Sequence, residues 1–282
     1  MSRLTCAAIR LLAAALAICS CAQPGGQKGG VRAVSLVPSV TEIVYAVGAG
    51  DRLVGNTTAC DFPEAARSVY KVGDFVNPDL EKLAALKPTV VFLALPVHAA
   101  LAAKLTEMKV PYYASRPADL DAVVAEVESV GARVGRTEAA GAVSARMQFE
   151  IAAVEPAADS PRVYAEISST PPMTAGGATF VNDIIRRAGG RNVFADALQE
   201  YPVVDQERLV RLDPEVILVL HPAATAEDVR ARIGWAGVSA VRNGRVYDGL
   251  DEDLLFRPGP RVVQGLRQLA ELLRSGPSRQ EE

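Results

Sequence analysis

The chain has 282 residues, of which 49% are hydrophobic and 22% are charged, and its formal net charge is −3. This balance is typical of a folded globular protein and excludes a chain that is disordered throughout. The sequence shows no basic patch, so nothing favours nucleic-acid binding. It also lacks the Walker, Gly-x-Ser-x-Gly and His-Glu-x-x-His patterns, which removes the usual sequence support for phosphoryl transfer or hydrolysis.

The first 20 residues are predicted to be a lipoprotein signal peptide. Arg3 and Arg10 supply positive charge, and the apolar run that follows is too short for a membrane-spanning helix of roughly 20 residues. The run leads into Cys21 through a sequence that resembles a bacterial lipobox, with Cys21 as the lipidated residue, although Cys19 stands where Ala or Ser is usual. An ordinary secretory signal cut nearby is the alternative. Either signal places the protein outside the cytoplasm, and a lipidated Cys21 would anchor it to a membrane.

Residues 21–30 are rich in glycine and are predicted to be a flexible tether. Residues 31–274 then form the folded body, and residues 275–282 form a tail. That length suits two lobes that each have a core. The processed chain would contain only Cys21 and Cys60, so a disulfide framework is not expected, and Cys60 is interpreted as a small buried residue.

The first half of the body alternates strand and helix patterns. Apolar strand segments are separated by helix-periodic segments that begin at capping residues or end at glycine. In chain order we predict strand 33–37, helix 40–47, strand 53–55, a helix capped by Asp79, strand 89–93, helix 99–108, strand 110–113 and helix 120–134. This order favours a mostly parallel sheet with helices on both faces.

Residues 137–157 are predicted to form one long helix that ends at Pro156. It would join an N lobe, residues 31–136, to a C lobe, residues 158–274. At about 1.5 Å per residue, such a helix would cross a domain from end to end. A single stiff connection predicts modest closure of the lobes rather than a wide hinge.

The second half restarts the same alternation. In chain order we predict strand 162–167, helix 179–188, a helix capped by Asp205, strand 215–220, a hairpin-type turn at Asn243-Gly244 before residues 245–248, and an amphipathic helix 260–273. The sequence therefore predicts an α/β fold with two Rossmann-like lobes, each with a mostly parallel sheet, joined by one long α-helix.

A repeated pattern supports two similar lobes. The frame D-x-E-x-L-x-x-L-x-P-x-V begins at Asp79 and again at Asp205, and it places Glu81 and Glu207 at equivalent positions. An acid in the first turn of a helix is explained by the helix dipole alone, which is one interpretation. The other is that the two acids lie on one face of a pseudo-symmetric molecule and dock on a two-fold symmetric partner that carries arginines.

An aromatic residue precedes each copy of the repeat by four positions. Phe75 and Tyr201 are expected on loops at the carboxyl side of the sheets, where open α/β sheets bind ligands. The two rings would grip a large planar ligand, or each would cap the core of its own lobe. Arg257 lies on a loop stiffened by Pro258-Gly-Pro260 and is a candidate contact for an anionic ligand group, with a solvent-exposed arginine as the alternative.

The two histidines of the chain, His98 and His221, each follow a predicted strand. They would face the cleft as metal ligands only if further ligands lay nearby, and the sequence shows no cluster of Cys, Asp or Glu beside them. We therefore predict no metal site and no cofactor of the protein's own.

The whole body resembles the substrate-binding proteins of ATP-driven importers for cobalamin, ferric siderophores and haem, the class in which a long helix joins two lobes. The motifs that carry the resemblance run from about Val31 to Leu273. They are residues 35–42 with Gly48 and Gly50, 60–63, 72–81 and 86–88 in the first lobe, and 174–177, 188–193, Glu207 with Pro214, and 257–261 in the second.

The resemblance implies a periplasmic-binding-protein fold and no catalysis. It implies that Glu81 and Glu207 dock on arginines of a permease dimer, which works with ATPase subunits, and that Phe75, Tyr201 and Arg257 contact the ligand. Cobalamin binders have further cleft aromatics where this chain has Ala59, Ala94 and Ile167. A cobalamin ligand is the first hypothesis, with a ferric siderophore or haem as the alternative. A monomer is expected, and a hydrolase or a pure interaction protein is the rival class.

Overall fold

The computed structural model describes residues 30–275. The chain from Val31 onward forms one compact unit. Cys21, the signal peptide, most of the tether and most of the tail lie outside the described residues. None of the helices within the described range is long and apolar enough to cross a membrane.

The N lobe contains a four-stranded parallel sheet in the order β2-β1-β3-β4. Helices connect the strands, which is the arrangement that parallel pairing requires. The elements are β1 (Ala33–Ser35), α1 (Pro38–Ala46), β2 (Leu53–Asn56), α2 (Glu64–Arg67), α3 (Leu80–Ala85), β3 (Val90–Ala94), α4 (Ala99–Glu107), β4 (Tyr112–Ser115) and α5 (Leu120–Arg133). A short 3-10 helix spans Gly50–Arg52.

The C lobe contains a second sheet, in the order β6-β5-β8-β9, with β7 also paired to β5. Only the β5–β6 pair is antiparallel among these described strands. The elements are β5 (Arg162–Ser169), β6 (Pro172–Thr174), α7 (Phe180–Arg187), β7 (Arg191–Asn192), α8 (Gln206–Leu212), β8 (Val216–Val219), α9 (Ala226–Arg230), α10 (Ser239–Arg242), β9 (Val246–Tyr247), α11 (Glu252–Phe256) and α12 (Val262–Arg274). The predicted fold class, two α/β lobes with mostly parallel sheets, is confirmed.

The lobes are joined by α6, which spans Thr137–Ala152 and is shorter than the predicted range 137–157. A residue that precedes proline is disfavoured in the helical conformation, so Glu155-Pro156 cannot continue the helix. The chain instead turns into the C lobe, where the Ala157 N–H donates to the Ala188 carbonyl oxygen over 2.9 Å.

The two copies of the repeat adopt the same local structure. Asp79 accepts hydrogen bonds from the amides of Glu81 and Lys82, and Asp205 accepts them from the amides of Glu207 and Arg208. Each helix then stops at a left-handed residue just before the repeat proline, with φ of 47° at Lys87 and 44° at Asp213. The sequence repeat is therefore a repeat of the capping and of the left-handed residue before the proline, around helices of six and seven residues.

One hydrophobic core runs through both lobes. It contains Val123 and Val127 of α5, Met147 of α6, Ile184 of α7 and Leu266 of α12, all of which are buried. Because α6 packs between helices of the two lobes, the connection is part of the core and not a free strap. Smaller clusters lie on the outer face of each sheet.

The expected hairpin turn at Asn243-Gly244 is wrong. Asn243 ends helix α10, and Gly244 follows it with φ of 66°. A glycine in the left-handed region directly after a helix is a common way to end the helix. The strand that follows, β9, pairs with β8 in parallel, so a hairpin is excluded.

Candidate functional site

A cleft of about 430 Å³ opens between the lobes at the carboxyl ends of the strands. Hereafter "the cleft" means this cavity. The N lobe contributes the ends of β1, β3 and β4 and the loop that carries Phe75. The C lobe contributes the start of α7, the loop that carries Tyr201, and the end of α11 with Arg257. Phe75, Tyr201 and Arg257, which the sequence singles out separately, therefore line one cavity.

Phe75 is held by a buried histidine. His98 Nδ1 accepts a hydrogen bond from the Ala94 amide at 2.9 Å, so the ring proton lies on Nε2, which donates to the Phe75 carbonyl oxygen. The two rings also meet edge to face, with centroids 5.2 Å apart. His98 is 2% exposed. Its role in this structure is to fix the loop of Phe75, and both of its nitrogens are occupied.

Tyr201 lies across the cleft from the N lobe and is 46% exposed. Burial raises the pKa of the Tyr201 phenol, and the negative charge of Glu200 raises it further. The hydroxyl therefore stays protonated at neutral pH and is available as a hydrogen-bond donor. The ring leaves an open apolar surface at the mouth of the cleft.

Arg257 is mostly enclosed in an ion-pair cluster that joins the lobes, and its side chain is 17% exposed. Its guanidinium lies 2.6 Å from Asp61, 2.8 Å from Asp253 and 3.6 Å from Glu42. Arg261 completes the cluster with a two-point contact on Glu42 at 2.7 and 2.8 Å. The hydrogen bond from Arg257 holds the pKa of Asp61 below its usual value. The structure therefore does not support the alternative that Arg257 is a solvent-exposed arginine at a helix start.

A second ion pair crosses the cleft. Arg116, at the end of β4 in the N lobe, lies 2.6 Å from Glu200 in the C lobe. Both side chains line the cleft. This pair is not predictable from the sequence alone, because its residues lie 84 positions apart and neither belongs to a recognisable motif. The available signal was the position of each residue in the sequence. Arg116 directly follows the strand β4, and Glu200 directly precedes the predicted cleft aromatic Tyr201.

The rest of the lining is mainly apolar, with buried polar groups at its floor. Ser39 is 1% exposed, and its hydroxyl has no hydrogen-bond partner among residues 30–275. Ser115 lies at the end of β4, and Glu126 of α5 is buried near it. Burial raises the pKa of Glu126 to about 7, and the hydroxyls of Ser115 and Tyr113 lower it only in part.

His221 lies in a separate buried network of the C lobe. Its Nε2 lies 3.0 Å from Glu166, which also receives two hydrogen bonds from Arg232 at 2.6 and 2.7 Å. Within the described residues, no group of three His, Cys, Asp or Glu side chains could hold a metal ion. Each of the two histidines has its own structural partners, His98 in the N lobe and His221 in the C lobe.

Ala59, Ala94 and Ile167, the three positions at which the resemblance to cobalamin binders implies an aromatic residue, do not all lie in the cleft. Ala59 and Ala94 line the cleft, where larger rings would narrow it. Ile167 lies on β5 and is not among the lining residues. The small side chains at Ala59 and Ala94 widen the N-lobe wall beside Phe75.

Glu81 and Glu207 point into solvent at the starts of α3 and α8. Each is six residues after a cleft-lining aromatic in the sequence, Phe75 in one lobe and Tyr201 in the other. Glu207 is 90% exposed at its side chain and has a loose pair with Arg211 at 3.7 Å. Exposed carboxylates of this kind are free to exchange such a partner for another arginine.

Comparison with known proteins agrees with this arrangement. The family model described as "Periplasmic binding protein" matches residues 34–252. The chain belongs to the periplasmic binding protein family. Members of this family are substrate-binding proteins and not enzymes, and those of ABC importers work with a permease and an ATPase.

Two relatives and one solved structure show which kinds of binding protein this chain is similar to. The chain is 32% identical over 249 residues to an uncharacterized ABC transporter substrate-binding lipoprotein, YvrC, of Bacillus subtilis, with 84% of this chain and 78% of the relative covered. It is 29% identical to the vitamin B12-binding protein of Vibrio parahaemolyticus, covering 85% and 88%. The structure of the periplasmic heme-binding protein RhuT from Roseiflexus superposes with a TM-score of 0.75 at 27% identity, covering 87% and 98%. In the periplasmic binding protein family, this chain therefore belongs with the ABC-transporter substrate-binding proteins.

Proposed function

We propose that this protein captures a corrinoid, of the cobalamin type, between its two lobes and delivers it to an ABC permease. The observation that carries the proposal is the pair Phe75 and Tyr201, one ring from each lobe, on an otherwise mainly apolar cleft. A large planar macrocycle presents two apolar faces to such rings. The similarity to a vitamin B12-binding protein supports the same ligand class.

The charges of the cleft support a ligand without many carboxylates. Both arginines of the lining, Arg116 and Arg257, are already paired with carboxylates. An anionic ligand such as haem or an iron chelate would have to compete with those partners. A corrinoid of the cobalamin type, whose ring carries neutral amide side chains, needs no such cation at the ring periphery.

Haem or a ferric siderophore is the alternative, and one observation favours it. The Tyr201 hydroxyl is at the cleft mouth, and a tyrosine oxygen is an established kind of ligand for ferric haem iron. The similarity to the heme-binding protein RhuT points the same way. Against it, the raised pKa of Tyr201 makes the phenolate that iron would bind more costly to form.

The deciding experiment is calorimetric titration of the chain from Val31, which forms one compact unit. Cyanocobalamin, haem and a ferric siderophore are titrated in parallel. Micromolar or tighter binding of cyanocobalamin, about −8 kcal/mol or better, is the expected result. Tight binding of haem or the siderophore with none of cyanocobalamin would replace the proposed ligand. Turnover of any of the three would revive the hydrolase reading.

Two further parts of the proposal concern delivery. Glu81 and Glu207 are proposed to dock on arginines of the permease, because both are exposed first-turn acids at equivalent positions of the two lobes. Cys21 is proposed to carry the lipid that anchors the protein outside the cytoplasm, and the lipoprotein YvrC supports this. Cys21→Ser should release the protein from membranes, and an unchanged membrane fraction would contradict the anchor.

A further inference from the structure

Two ion-pair connections join the lobes at opposite ends of the cleft. Asp61, which binds Arg257, follows β2, and Arg116, which binds Glu200, follows β4. In the N-lobe sheet β2 and β4 are the two edge strands, with β1 and β3 between them. Three strand spacings separate the edges, which is about 14 Å. The cleft therefore lies between two interlobe ion pairs.

The two connections differ in strength. The Arg257 side chain is 17% exposed and contacts three carboxylates, Asp61, Asp253 and Glu42. The Arg116 side chain is 64% exposed and contacts Glu200, which is itself 38% exposed. Asp61 and Asp253 are partly exposed, but Arg257 and Arg261 converge on Glu42, whose side chain is only 2% exposed, so the loss of one contact leaves others in place. An exposed single pair is weak and readily exchanged. The end of the cleft at β4 is therefore the end that a ligand can open.

We propose that Arg116 and Glu200 form a recognition pair that binds a primary amide of the ligand and thereby disfavours ligands with carboxylates at that position. The inference rests on the proposed corrinoid ligand and names the group by which the cleft selects it. The pair separates when the ligand enters, and one amide then satisfies both residues.

The chemistry of the pair fits an amide. Guanidinium groups only donate hydrogen bonds and ionised carboxylates only accept them, whereas a primary amide has a carbonyl oxygen and an NH₂ group. Its oxygen accepts from Arg116 while its nitrogen donates to Glu200. A ligand carboxylate would also satisfy Arg116, but it would face the negative charge of Glu200. Tyr201, the next residue in the chain after Glu200, lines the same cleft, and its hydroxyl stays protonated.

Two corrinoids that differ only at their periphery test this inference. Dicyanocobyrinic heptaamide and dicyanocobyrinic acid share the ring and the metal, but the first carries amides where the second carries carboxylates. Each is titrated calorimetrically into the chain from Val31 and into three variants: Glu200→Gln, Arg116→Gln and Glu227→Gln. Glu227 is an exposed acid in the first turn of α9, away from the cleft lining, so it controls for loss of one negative charge.

We expect the unmodified chain to prefer the heptaamide. Glu200→Gln should strengthen binding of cobyrinic acid about three- to five-fold and narrow the preference by the same factor, because one repulsive charge is removed. Arg116→Gln should weaken binding of both compounds, and Glu227→Gln should leave the ratio of the two affinities unchanged. Thermal melting of each variant checks that it is folded.

The outcomes separate this inference from the proposed function. If the unmodified chain binds the heptaamide but Glu200→Gln leaves the affinity ratio unchanged, the recognition pair is overturned and the corrinoid ligand stands. If the unmodified chain binds neither corrinoid but does bind haem or a ferric siderophore, the proposed corrinoid ligand is overturned. The recognition pair, which depends on that ligand, is then overturned as well.

Discussion

Glu126 is a carboxyl group that burial leaves only partly ionised near neutral pH. It is 3% exposed, and its Oε2 has no hydrogen-bond partner among residues 30–275. Burial raises its pKa from 4.5 to about 7. Because the folded value exceeds the unfolded one, the group's contribution to stability is fully present below about pH 4.5 and is lost as pH rises through about 7.

Glu126→Gln should therefore stabilise the protein in alkaline but not in acidic solution. At about pH 8 we expect a gain of up to roughly 3 kcal/mol in the free energy of unfolding, since each pKa unit corresponds to about 1.4 kcal/mol. The gain should vanish towards pH 4.5. Urea denaturation at several pH values measures it. Glu128→Gln, on the exposed side of the same helix, is the control, and a gain that does not vary with pH would contradict the account.

The aromatic pair makes a second prediction at the scale of single residues. Tyr201→Ala removes an exposed ring from the cleft wall and should weaken ligand binding about ten-fold, which is about 1.4 kcal/mol. Tyr201→Phe should retain most of the affinity for a corrinoid, because the ring face is kept. Tyr70→Ala, at a tyrosine that is 53% exposed and away from the cleft lining, is the matched control. Calorimetry with equal affinities for Tyr201→Ala and Tyr70→Ala would remove Tyr201 from the site.

At the scale of elements, α3 and α8 are equivalent helices that present equivalent acids. Reversing both charges, Glu81→Lys with Glu207→Lys, should leave ligand affinity unchanged while transport through the permease falls severely, because two ion pairs to the permease become repulsions. Uptake of labelled ligand by cells measures transport, and calorimetry measures affinity. The control reverses two other first-turn acids, Glu64 and Glu227. Uptake that falls equally in both double variants would show a general charge effect instead of docking.

The sequence predicts these elements because their signals are local. Asp79 and Asp205 cap helices through amides two and three residues away, so the pattern of a few residues is sufficient. The end of α6 was predicted a few residues too late, although Pro156 marks the limit of the helix. The parallel pairing of β9 was not predicted, because it depends on where the chain docks in the C lobe. A turn signal such as Asn243-Gly244 fits a hairpin and a helix end equally well.

The cleft itself was predicted only in part. Phe75 and Tyr201 were found because the repeat relates them, and both line the cavity. The partner of Arg257 lies 196 positions away at Asp61, and that of Arg116 lies 84 positions away. With 33 acidic residues in the chain, no local pattern tells an arginine which of them the fold will bring to it. Ion pairs between lobes are a property of the assembled tertiary structure.

At the scale of the whole molecule, the lobes are tied together at several points besides α6. Asp183 of α7 accepts a hydrogen bond from the Leu120 amide at 3.0 Å, and Arg187 pairs with Asp121 at 2.7 Å. Glu42 of α1 receives both hydrogen bonds from Arg261. Together with the shared core, these contacts resist a hinge motion and leave the β4 end of the cleft as the part that opens.

Ligand binding should therefore change the distance between the lobes by no more than about 2 Å. Spin labels on Lys104→Cys in the N lobe and Glu227→Cys in the C lobe report that distance by pulsed electron spin resonance, and both sites are exposed. The chain from Val31 lacks Cys21, and Cys60 is 1% exposed, so neither interferes. Glu42→Gln, which weakens the buried cluster of Arg257 and Arg261, should broaden the distance distribution without ligand. A shift of several ångströms on ligand binding in the unmodified chain would show that the shared core does not restrain the lobes.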